Sequence, residues 1–61
     1  MVQDPRDKKF YQFQKKDVSQ LTHEDIVEYI SYCEKMIEYS EAKKARRAWI
    51  DLKKELEAKL S

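Results

Sequence analysis

The chain contains no glycine in 61 residues. Glycine supplies the positive-φ positions used by tight hairpin turns and by loops that cradle phosphates. Its absence argues against a β-meander and removes the glycine-rich nucleotide-binding loops. Ala, Leu, Glu, Lys, Arg, Gln and Met, all good helix formers, supply much of the rest. The expected fold class is all-α.

Length sets the next bound. A chain of 61 residues and 7.4 kDa is one domain, and it buries only about 60% of the surface its unfolded form exposes. That leaves no interior for a cofactor fold, a barrel or a deep active-site cleft. With 41% charged residues and a mean hydropathy of −0.96, no stretch approaches the ~20 apolar residues of a membrane span. The N-terminus lacks the apolar core of a signal peptide, so a cytoplasmic location is expected. A single Cys excludes an intrachain disulfide scaffold and fits a reducing compartment.

The clearest local signal is Leu21-Thr22-His23-Glu24-Asp25-Ile26. Thr22 is an N-cap, Asp25 can return to it as a shortened capping box, and Leu21 with Ile26 forms a hydrophobic staple. A helix is therefore expected from His23. Ile26, Ile30, Cys33 and Ile37 follow at spacings of 4, 3 and 4, one face of that helix. Val27, Tyr29 and Met36 flank this stripe, so the apolar arc covers roughly half the circumference and calls for two neighbours.

Ala45, Trp49, Leu52, Leu56 and Leu60 form a second stripe, rotated by about 100° from the first. With Ser40 as a plausible N-cap at the join, the reading is a turn near Tyr39–Glu41 and an antiparallel helical hairpin over 22–61. The alternative is one long bent helix paired with a second chain. In the hairpin, Ile37 faces Ala45, Cys33 faces Trp49, Ile30 faces Leu52 and Ile26 faces Leu56, with Trp49 largely buried. Large side chains then meet small ones, as close packing requires.

Residues 1–21 are read as an N-terminal helix or arm with a connector. Asp4 as cap, Pro5 at the first position and Asp7 three residues on favour a short helix at 5–14. Lys-Phe-Tyr-Gln-Phe-Gln is also compatible with an extended arm. In either form Phe10 and Phe13 cover part of the excess apolar arc.

No catalytic or metal constellation emerges. His23 and Cys33 lie ten positions apart on one helix and cannot meet, and a metal site needs three or four ligands. The expectation is a non-enzyme with no cofactor and no metal. Charge is more informative. Segment 1–22 carries five basic and three acidic residues, 23–39 one and five, and 40–61 seven and four. The central helix is acidic and the last is basic, an arrangement that attracts when the two lie side by side. The formal net charge is only +1, which removes the simplest argument for a nucleic-acid partner.

One feature resists a purely internal explanation. Lys43, Lys44, Arg46 and Arg47 crowd the start of the last helix, where the helix dipole disfavours positive charge. Lys43, Arg47, Ile50 and Lys54 make a basic stripe with one apolar member, opposite the Trp49 face. Lys8, Lys9 and Tyr11 add cations and a ring. Such a set suits an anionic ligand: RNA, DNA, a phosphorylated nucleotide or an acidic protein face. Tyr29, Met36 and Ile50, left over by a lone hairpin, are candidates for an interface between chains in a small helical-bundle homo-oligomer, and the outward Tyr32 and Tyr39 on the acidic helix are candidates for a further contact surface. The expected role is a small binding or regulatory protein that acts by occupying a protein surface, with an inhibitor of viral type fitting the size. The alternative is an anion binder through the basic helix start.

Overall fold

The structure, a computed structural model, describes residues 4–60; the first three residues of the expected N-terminal segment, and Ser61, lie outside them. The described residues form three α-helices and one 3-10 turn, with no strand: α1 (Lys8–Lys15), the turn Val18–Gln20, α2 (His23–Tyr39) and α3 (Lys43–Leu60).

The start of α2 follows from Thr22. Its hydroxyl accepts from the Asp25 N–H at 3.1 Å, and the Asp25 carboxylate accepts from the Thr22 N–H at 3.2 Å. Both orphan N–H groups are thus satisfied at one helix end. Leu21 and Ile26, the two halves of the staple, are both buried. Ser40 differs from expectation: it closes α2 rather than opening α3, its N–H donating to the Met36 carbonyl at 2.8 Å. α3 begins three residues later, at Lys43. The short connection 40–42 makes α2 and α3 a closely packed antiparallel pair. Three of the four expected facing pairs, Ile26 with Leu56, Ile30 with Leu52 and Cys33 with Trp49, lie in a single apolar cluster.

α1 is a helix and not an extended arm, but it starts later than its sequence suggests. The Asp4 carboxylate accepts from the Arg6 N–H and from its guanidinium, each at 2.9 Å. That local bond holds Pro5 and Arg6 in a turn and takes Asp4 out of the capping role. Asp7 caps instead, accepting from the Phe10 N–H at 3.0 Å. In the connector the Gln20 side-chain carbonyl accepts from the Asp17 N–H at 3.3 Å, and the Gln20 N–H donates to the Asp17 main-chain carbonyl at 2.8 Å.

The short helix completes the core. Asp7 meets Tyr32, Phe13 stacks on Tyr29, and Leu21 returns beside Ile26, so the chain runs back along α2 in the opposite sense. Phe10 is 0% exposed. Its ring lies edge-on to Tyr29 at 5.9 Å and to Tyr32 at 5.7 Å, and tilted against Trp49 at 5.6 Å. Edge-to-face pairs add favourable quadrupole contacts to the burial itself. The wide apolar arc of α2 therefore finds its second neighbour within the same chain. Tyr29 and Met36, expected at an interface between chains, are buried at 5% and 3% exposure, which removes them as surface contacts. Trp49 is half-buried rather than enclosed, because Phe10 takes the central position.

Candidate functional site

The basic start of α3 divides into two parts. An antiparallel hairpin brings the first turn of α3 against the last turn of α2, and Arg46 uses this. Its Nε donates to the Ser40 carbonyl at 2.7 Å. α2 has no basic residue in its own last turn, so a cation from the next helix serves the negative end of its dipole. The charge that looks misplaced on α3 is well placed for α2. All four cations are exposed, but Lys43, Lys44 and Arg47 lack such a bond. Among the described residues no ion pair or side-chain hydrogen bond engages them.

Lys43, Arg47 and Lys54 are exposed, and Ile50 is half-buried among them. The N-terminal cations do not join this set. Lys9 is bound to Glu28 at 2.5 Å, and that bond raises the Lys9 pKa. Tyr11 lies edge-on to Phe10 at 5.5 Å and is 47% exposed, while Lys8 is exposed beside it. Among the described residues no hydrogen bond or ion pair links Lys8, Lys9 or Tyr11 to the α3 turn.

Tyr32 has a role its sequence position does not announce. Its hydroxyl donates to the Asp7 carboxylate, 2.9 Å from each oxygen. Its ring also contacts Phe10 and Phe13, so it fastens α1 to α2 rather than offering a free outward face. Lys35 stands over the same ring at 5.7 Å, a weak cation–π contact. Of the other interface candidates, Tyr39 and Ile50 remain half-buried. Cys33 is 0% exposed, and burial pushes its thiol pKa up to about 11, the behaviour of an inert core thiol.

Asp7 thus carries two duties, capping α1 and holding Tyr32. The Phe10 N–H, then the Tyr32 hydroxyl, lower its pKa below the ordinary 3.8. A lowered carboxylate pKa in the folded state adds stability above the unfolded value, and that stability is lost as pH falls through the folded value. Acidification from pH 5 to below 3.8 should therefore loosen α1 from Tyr32. The Tyr32 ring resonances in NMR spectra should shift with Asp7 protonation, and Asp7→Ala should remove that transition. An unchanged transition in Asp7→Ala would reject the assignment.

Among the described residues no group of three or more His, Cys, Asp or Glu stands where a metal ion could be held, and no helix is long and apolar enough to cross a membrane. No known protein family, curated protein or solved structure matches the chain. The candidate surface therefore rests on its own geometry: exposed Lys43, Arg47 and Lys54 with the half-buried Ile50 in the same stripe, and Arg46, also exposed, bound to the Ser40 carbonyl beside them.

Proposed function

We propose that this protein is a small, non-enzymatic binding module whose contact surface is the outward face of α3, and whose partner is an acidic protein surface that also presents an apolar side chain. The observation that carries this reading is the exposure of Lys43, Lys44 and Arg47 without acidic partners. Unpaired cations at a helix start repel one another and oppose the dipole, so they lower the stability of α3 unless an anion compensates them. Ile50 in the same stripe favours a protein over a nucleic acid, because a phosphate backbone offers nothing to an aliphatic side chain. The formal charge of +1 points the same way, since nucleic-acid affinity draws on accumulated positive charge.

Selection from a displayed random-peptide library tests it. Enriched peptides should combine Asp or Glu with a hydrophobic residue, and Lys43→Glu with Arg47→Glu should abolish their binding while far-UV circular dichroism stays unchanged. Arg46 must be left intact, because Arg46→Glu breaks the bond to Ser40 and should lower the melting temperature by about 5 °C for about 1 kcal/mol lost. Enrichment that ignores the two charge reversals would refute the proposal. Tight binding to an oligonucleotide with a steep salt dependence would favour the anion-binding alternative.

A further inference from the structure

The hairpin has a face that α1 leaves open, and its charges run in opposite senses on its two helices. α1 reaches α2 through Glu28, Tyr29 and Tyr32. At 100° per residue, Val27, Ile30, Glu34 and Ile37 lie on the far side of α2 from those positions. Val27 is 48% exposed, and Ile30 and Ile37 are half-buried. The Glu34–Lys53 ion pair, at 3.6 Å, marks the matching side of α3, where Arg46, Ile50 and Lys53 share an arc with one acid, Glu57. Lys43, Arg47 and Lys54 border it. On this face α2 contributes Glu34, with Glu38 at its edge, and α3 contributes Arg46 and Lys53 against Glu57, within helices whose totals are five acids to one base and seven bases to three acids.

A face of this kind is complementary to itself under one operation only. A two-fold axis perpendicular to the helices would lay α2 on α2 and α3 on α3, like charge on like. A two-fold axis parallel to the helices lays α2 of each copy antiparallel on α3 of the other, acid on base, and brings the four aliphatic residues together at the centre. Because α2 and α3 pair level about the turn at 40–42, the second copy's α2 then sets Glu38 at the level of Lys43 to Arg47 and Glu34 at the level of Ala48, just beyond them. We infer that the acidic partner of the α3 surface is a second copy of this chain, in a two-fold antiparallel four-helix bundle with α1 on each outer side. This inference rests on the proposed binding surface and names its occupant. α2 is about 25 Å long, and two helices about 10 Å across give a footprint of about 500 Å² per chain. That is the low end for a specific interface, so the dimer should be reversible and sensitive to salt.

Charge-swap sedimentation on the full chain tests it. At low salt the wild type should sediment at twice 7.4 kDa at high micromolar concentration and shift toward the single-chain mass in 1 M NaCl. Glu34→Lys with Glu38→Lys, and separately Lys43→Glu with Arg47→Glu, should each be monomeric and helical. An equimolar mixture of the two should recover the double mass, since both acid–base contacts are restored in the heterodimer. Ile50→Glu should be monomeric in every mixture. A monomeric wild type, or reversed variants that stay monomeric when mixed, overturns the inference. If acidic peptides still require Lys43 and Arg47 in that case, the binding surface stands and only its occupant is wrong; if they do not, both fall.

Discussion

Phe10→Ala should destabilise this chain by about 3–5 kcal/mol, the usual range for emptying a fully buried aromatic site. For a domain of this size that approaches the whole stability. Phe10 is 0% exposed and touches four other rings, Tyr11, Tyr29, Tyr32 and Trp49. Removing it uncovers α2 and α3 together. Thermal unfolding by circular dichroism should show a loss of cooperativity along with the fall in melting temperature, because α1 loses its main anchor to the hairpin. Tyr11→Ala, one residue away but 47% exposed, should change stability by less than about 1 kcal/mol. Equal effects from the two substitutions would contradict the packing.

Leu56→Ala should cost about 2–5 kcal/mol. Leu56 is the one fully enclosed residue of α3, 0% exposed, in the apolar cluster that holds Ile26 and Leu21. It lies far from the turn, so it pins the open end of the hairpin, where chain connectivity gives no help. Urea unfolding should show the loss as a lower midpoint with an unchanged slope. Leu52→Ala, at a half-buried position, should cost less. A larger penalty at Leu52 would mean that α3 is rotated from the orientation described.

Much of this architecture is legible in the residues, and the reasons are local. The cap at Thr22 and Asp25 and the staple of Leu21 and Ile26 act within six residues, so their chemistry is complete in the sequence. The 4-3-4 stripes of α2 and α3 are likewise intrinsic to each helix. The misreadings all concern contacts between segments or choices among rival caps. Asp4 and Asp7 are both competent caps, and only the Arg6 bond to Asp4 decides between them. Ser40 fits either helix end, and closing α2 won. Tyr29 looks surplus on a lone hairpin because nothing in α2 records that Phe10 and Phe13 will cover it; Met36 is buried as well, outside their cluster.

The basic cluster shows the same limit in its sharpest form. Within α3, four cations at the positive end of a dipole are alike, and Arg46 cannot be told from Arg47. Their difference is one helical step of rotation, which points Arg46 at the Ser40 carbonyl and Arg47 into solvent. A carbonyl on the preceding helix leaves no trace in side-chain spacing. The division of labour between a cation bound to the turn and its unbound neighbours is therefore a property of the hairpin.

The core stands on α1 as its third wall, and two-dimensional nuclear Overhauser spectroscopy on the full chain measures that directly. Cross-peaks are expected from the Phe10 ring protons to the Trp49 indole and to the Tyr29 and Tyr32 rings, with Phe13 joined to Tyr29. Helical shifts over residues 8–15 should accompany them. Phe10 and Phe13 showing only contacts within their own segment, with random-coil shifts over 8–15 and a Trp49 ring that reaches Cys33 alone, would contradict it.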